Sequence, residues 1–124
     1  NIHMKSLLLK TISTFEELII FLFPAYFIFV GFISNMIKDK PIDKKYGYRT
    51  ALSTKNKHNW YFANSYMAKG SFALAFVFII LGLVLNNFVE MTSLRKVIFV
   101  LVEFMAYVVL GISLEMKLKS VHKK

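Results

Sequence analysis

Residues 18–36 read LIIFLFPAYFIFVGFISNM, nineteen positions without a single charge. A transmembrane helix needs about 17–25 mostly apolar residues at 1.5 Å rise each. Two further stretches fit the same measure. Residues 70–89 are apolar apart from Asn86 and Asn87 near the end, and residues 97–116 carry Glu103 inside and Glu115 near the end. A soluble three-helix bundle would show polar faces recurring every three or four residues. These runs are apolar all round. The expected fold is an all-α membrane protein with three transmembrane helices.

Composition agrees. The 124 residues suit a single domain, 56% are hydrophobic, 16% aromatic and only 19% charged. A soluble domain is about 45–50% apolar and about 25% charged. The formal charge is nevertheless +9, from 16 Lys and Arg against 7 Asp and Glu. A nucleic-acid partner would explain the charge but not the apolar excess, so none is expected. Lipid bilayer is the expected surrounding. Asn1-Ile2-His3 read as an artificial extension ahead of a native Met4, leaving 4–124 as one membrane domain. No long apolar run with a small-residue cleavage site follows Met4, so a cleaved signal peptide is not expected.

The chain has no cysteine, which removes disulfides, thiolate metal sites and cysteine nucleophiles. Its three histidines are far apart and give no metal-ligand spacing. No P-loop, dinucleotide fingerprint, HExxH or GxSxG is present. No catalytic residue, metal or cofactor is assigned, and the chain is read as a non-enzyme.

Three spans place the N-terminus and second loop on one side, and the first loop and C-tail on the other. The first side holds Lys5, Lys10, Arg95 and Lys96. The second holds Lys38, Lys40, Lys44, Lys45, Arg49, Lys55, Lys57, Lys69, Lys117, Lys119, Lys123 and Lys124. Basic residues are retained in the cytoplasm, so four against twelve predicts N-out, C-in. Thr14 or Ser13 is a candidate N-cap for the first span, with Glu16 and Glu17 in its first turn. Residues 4–13 are a candidate interfacial helix on the outer surface, a reading the sequence leaves open. Pro24 predicts a kink, and a tolerated membrane proline is preferred to a functional hinge.

The loop, residues 37–69, carries the most information. Pro41 and Gly47 punctuate an extended or turn-rich segment. Ser53 or Thr54 then caps a helix that runs through Trp60 into the second span. Trp60, Ala63, Met67 and Gly70 or Ser71 share one of its faces. Tyr48, Arg49, Thr50, Ser53, Asn56, Trp60, Asn64 and Lys69 are the candidate ligand- or partner-binding residues. An Arg fork with Tyr, Asn and Lys donors near a membrane surface suits an anion, phosphate especially. Gly47 permits close backbone approach or positive φ beside it. Trp60 is a stacking surface for a ring or chain, or a headgroup-level anchor. The lysines read chiefly as orientation signals, whereas Arg49, Asn56, Trp60 and Asn64 read as sharing a structural or ligand role.

Tyr46-Gly47-Tyr48-Arg49-Thr50, then Ser53, Lys55-Asn56, Trp60-Tyr61-Phe62-Ala63-Asn64, Tyr66 and Lys69, resemble the SdpI-like family of small integral membrane proteins. That likeness covers about 25 residues closely. This chain has Ala68 where the family usually has Gly before the Lys, and Gly70 follows instead. The resemblance implies a multi-pass protein of the bacterial cell membrane. It also implies a role in immunity and signalling: protection from a secreted peptide toxin, with a cytoplasmic regulator held at the membrane. The alternative is a binding module for a small phosphate-bearing ligand at the cytoplasmic face, a nucleotide, a coenzyme-A-like molecule or an anionic lipid. Oligomeric state is open, a homo-oligomer included.

Two polar groups fall within the third span. Glu103, with Tyr107 four residues on, is costly in lipid and must face other helices, water or a partner. Proton or cation handling, recognition of a basic peptide and a structural hydrogen bond all remain open for it, and Arg95 or Lys96 is a candidate to snorkel toward it. Glu115 and Lys119 read as a solvated i,i+4 pair. Ser71, Ala75 and Gly82 form a small-residue stripe for close packing, and Ala106 with Gly111 offers the third span another.

Overall fold

A computed structural model describes residues 2–42 and 46–122, with backbone only at Ile2, Ile12, Ser13, Glu16, Val121 and His122. The orientation charges Lys44, Lys45, Lys123 and Lys124, and the side chains of Ser13 and Glu16, lie outside the described residues. Three helices make up the fold: α1 (Ile2–Ile37), α2 (Lys57–Phe88) and α3 (Ser93–His122). Each contains a stretch long and apolar enough to cross a membrane: Glu17–Ile37, Lys57–Phe88 and Ser93–Ser120.

α1 is one helix of 36 residues, about 54 Å long. It starts well before the expected first span, and residues 4–13 are part of the same helix. Thr14 is therefore not a cap. Inside the helix its hydroxyl turns back to the carbonyl of Lys10 at 2.9 Å, a bond that satisfies Ser or Thr in a helix interior. Pro24 lies within the same helix, buried against its neighbours.

α2 begins at Lys57, and its N-cap is Asn56 rather than Ser53 or Thr54. The Asn56 side-chain oxygen accepts the Asn59 N–H at 2.7 Å, one of the orphan donors of a helix start. Ser53 and Thr54 belong to the turn before it: Thr54 N–H reaches the Thr50 carbonyl at 3.1 Å. The four residues 89–92 join α2 to α3. Thr92 opens α3, its hydroxyl accepting the Arg95 N–H at 3.3 Å.

α1 packs most extensively on α2, and α3 closes against both. Phe27 is the hub. Fully buried, it stacks on Tyr107 of α3 with ring centroids 5.2 Å apart and meets Phe78 of α2 at 6.5 Å. Phe78 in turn meets Phe99 edge-on at 5.8 Å. Nearer the loop a second cluster joins Ala63, Met67, Leu114 and Leu118. Small residues set the spacing of α2 on its neighbours. Ser71, Ala75 and Gly82 are all buried, and a Cβ at Gly82 would stand 3.0 Å from the Phe21 ring. Ala106 is partly buried in the first cluster. Gly111 makes no comparable contact, since a Cβ there would meet nothing within 4 Å. The third span thus packs through Phe99, Tyr107, Leu114 and Leu118 rather than through a small-residue stripe.

Outward-facing positions are large and apolar, Phe76, Leu101 and Ile112 among them. In water such a surface would be an aggregation liability; against lipid it meets its own kind. Replacing Phe27 by Ala removes a fully buried ring and its aromatic contacts with Phe23, Tyr26, Phe78 and Tyr107. The expected loss is about 3 kcal/mol or more, read as an earlier unfolding midpoint in an SDS titration of mixed micelles.

Candidate functional site

The loop between α1 and α2 is fixed by side chains from all three helices. It starts at the C-terminus of α1, where the last carbonyls lack intrahelical partners. The Ile37 carbonyl accepts two bonds, from the Lys40 N–H at 3.0 Å and from the Trp60 indole N–H at 3.1 Å. Trp60 has no exposed surface. It is neither a stacking platform for a ligand nor a headgroup anchor, because its ring fills the space under the loop and its polar atom caps α1. Burying the ring and pairing its N–H satisfies both demands of this side chain.

Gly47 lies over that ring with φ +101°, in the region that L side chains rarely adopt. A Cβ there would collide with the Ile37 side chain and stand 2.9 Å from Asn64 Oδ1 and 3.1 Å from the Trp60 ring. Only glycine permits this approach. The next residue then donates its N–H to Asn64 Oδ1 at 3.0 Å, while Asn64 Nδ2 donates to the Trp60 carbonyl at 3.0 Å. Asn64 is itself fully buried, so both ends of its amide are spent within the fold.

Tyr48 reaches farther, donating its hydroxyl to Glu115 Oε1 of α3 at 2.5 Å. This bond replaces the expected pairing of Glu115 with Lys119. Nearby, Tyr66 and Ser113 hydroxyls meet at 2.7 Å, with the Lys117 ammonium 4.9 Å from the Tyr66 ring centre. Thr50 and Ser53 form a reciprocal turn: Thr50 N–H donates to Ser53 Oγ at 2.7 Å, and Ser53 N–H to Thr50 Oγ1 at 3.1 Å. Asn59 Nδ2 closes the turn on the Leu52 carbonyl at 2.9 Å. Asn59 and Glu115 lie outside the candidate ligand- or partner-binding residues. Asn59 carried a legible signal, an amide directly beside the face that buries Trp60. Glu115 carried none, since its partner is 67 residues away.

The structure therefore gathers Tyr48, Thr50, Ser53, Trp60 and Asn64 into one hydrogen-bonded assembly, with Asn56 capping the helix below it. Arg49 and Lys69 stand apart. Lys69 is exposed on α2. Arg49 is exposed at a cleft of about 290 Å³ bounded by the loop, α1, Met67 and Tyr107. Its guanidinium makes no hydrogen bond or ion pair among the described residues.

Deeper in the bundle, Glu103 is fully buried, and neither carboxyl oxygen has a partner among the described residues. The Ser71 hydroxyl is likewise unpartnered. Arg95 does not reach Glu103; its guanidinium donates to the Glu90 carbonyl at 2.6 Å. Nor does Lys96 bond to it. Tyr107, one turn on, is occupied by its stack on Phe27. No group of three or more His, Cys, Asp or Glu suited to a metal occurs among the described residues.

Burial raises the Tyr48 phenol above its ordinary range, and the bonded Glu115 carboxylate raises it further. A phenol raised in the folded state stabilises the fold below its unfolded value of about 10. That contribution is lost as pH climbs beyond about 10, because the unfolded chain then releases the proton more readily. Emission from Trp60, the one tryptophan, is expected to stay constant from neutral pH to about 10 and to shift red above it. Tyr48→Phe is expected to lower thermal stability near neutral pH and flatten that alkaline step, as read by fluorescence titration of both proteins.

The protein-family model described as the SdpI/YfhL protein family matches residues 40–114. No curated protein and no solved structure matches the chain. The match contains the loop from Lys40 onward, the whole of α2 and α3 as far as Leu114. It extends well beyond the 25 residues of close motif likeness, and it takes in Gly47, Tyr48, Trp60 and Asn64, the residues that tie loop to helices. With more than half its length matched, the chain is a membrane protein belonging to the SdpI/YfhL family.

Proposed function

We propose that this chain is a non-enzymatic protein of the bacterial cell membrane that confers immunity to a secreted peptide toxin and signals its presence. The observation that carries the reading is the convergence of three helices on one loop. Trp60 ties α1 to α2, Asn64 ties α2 to the loop, and Tyr48 ties the loop to α3. A peptide that shifts the packing of the spans from one side of the bilayer would alter this loop on the other. The four-to-twelve distribution of basic residues supports a cytoplasmic loop and C-tail with the N-terminus outside. A cytoplasmic regulator would then meet the loop, where Arg49 is an exposed cation, as are Lys40 and Lys55. Deleting the gene is expected to sensitise producing cells to a co-expressed secreted peptide. Restoring the wild type should protect them, while Trp60→Ala should not, at equal protein level in the membrane fraction. Unchanged sensitivity of the deletion strain to every such peptide overturns the reading.

A second reading takes Arg49 as the anchor for a phosphate-bearing ligand. The free guanidinium at the mouth of a cleft favours it, since an Arg fork matches phosphate oxygens in geometry and charge. A bound ligand at 100 times its Kd adds about 2.7 kcal/mol of stability. Coenzyme A, a nucleotide or an anionic lipid is thus expected to raise the melting temperature of the detergent-solubilised protein. Arg49→Ala should abolish the rise.

A further inference from the structure

The buried side-chain amides beside the loop are already committed. Asn64 is spent on Tyr48 and Trp60, Asn59 on Leu52, and the Trp60 ring has no exposed face. The cleft beside Arg49 offers something different. Its mouth is polar, with Arg49, Tyr46 and Ser34; its wall is Phe29, Val30 and Ile33, running down to Tyr26 and Tyr107. Among the described residues, Arg49 is the only charged one that lines it.

Depth decides the class of occupant. Tyr26 precedes the end of α1 by eleven residues and Tyr107 precedes Glu115 by eight, which correspond to about 16 Å and about 12 Å along the helices. The hydrocarbon core is about 30 Å thick, so the cleft descends about one leaflet. Its cationic mouth lies at the loop and its apolar wall faces the chain region of the same leaflet. We propose that this cleft is a binding site for an anionic phospholipid, with the phosphate on the Arg49 guanidinium and one acyl chain along Phe29, Val30 and Ile33. The bidentate fork of arginine supplies the headgroup contact, and the aromatic and branched side chains supply the chain contact. This inference rests on the anion-site reading of Arg49 and names the ligand class for it.

Native mass spectrometry of the detergent-purified full chain tests it, with phosphatidylglycerol, phosphatidylcholine, coenzyme A and inorganic phosphate added in separate arms. Phosphatidylglycerol adducts are expected to exceed phosphatidylcholine adducts by roughly tenfold, because both lipids carry the phosphate but the choline cation of the second repels the guanidinium that would bind it. Arg49→Gln should bring the two lipids level, and Ile33→Trp, which fills the wall, should weaken both. Arg49 is exposed and bonds to nothing among the described residues, so its variant keeps the fold; circular dichroism checks helix content in each protein. Equal binding of the two lipids by the wild type, or undiminished phosphatidylglycerol binding by Arg49→Gln, overturns the proposal. Arg49-dependent retention of coenzyme A or inorganic phosphate without retention of phosphatidylglycerol overturns the lipid while leaving the anion site standing. Retention of no phosphate compound overturns both.

Discussion

A helix that ends beside a membrane surface leaves its last carbonyls without partners, and here the indole of Trp60 meets that need. Its N–H caps the Ile37 carbonyl, and its buried ring forms the floor on which Gly47 rests. From this contact the rest of the loop follows. Gly47 brings the chain over the ring with a backbone conformation that a side chain would resist. Tyr48 is thereby presented to Asn64 on one side and Glu115 on the other. Three helices that pack chiefly through apolar contacts are locked in register by directed bonds. In lipid the distinction matters, since neighbouring chains are as apolar as leucine and give helices little reason to prefer one another.

The same economy explains which polar residues are left over. Ser53, Asn56, Asn59, Trp60 and Asn64 build the loop and have little to offer a ligand. Arg49 is held among them by its neighbours on both sides, yet it takes no part in their bonding. A cation on an ordered backbone and unpaired among the described residues is suited to an external anion, because less ordering is left for binding to supply. Glu103 is the opposite case, a carboxyl enclosed among helices with no partner among the described residues. Both groups exceed what spanning a bilayer requires.

Much of the architecture was legible because membrane helices obey a coarse rule. Nineteen uncharged residues before the loop and two similar runs after it leave few alternatives. The buried face of α2 was legible too, since Trp60, Ala63, Met67 and Ser71 recur at helical spacing and are all buried. Local competition was not. Ser53 and Thr54 looked like caps, yet Ser53 is drawn into the turn with Thr50, and Asn56 takes the position instead. Thr14 likewise looked like the cap of the first span. With apolar residues on both sides, the helix continues, and Thr14 satisfies its hydroxyl within it.

The sequence by itself determined three spans, the bias of basic residues toward one set of loops, and a motif dense enough to mark the family. These are properties of composition and spacing, which act through the hydrophobic effect and need no knowledge of partners. Tertiary structure decided the roles inside the motif. Trp60 became a buried cap rather than an interfacial anchor, and Glu115 became the acceptor for Tyr48 rather than a partner of Lys119. Both outcomes depend on directed bonds between residues far apart in the chain, 23 positions for Trp60 and Ile37 and 67 for Tyr48 and Glu115. Hydrogen bonds form only over about 3 Å, so no pattern along the chain announces them until packing brings their atoms together.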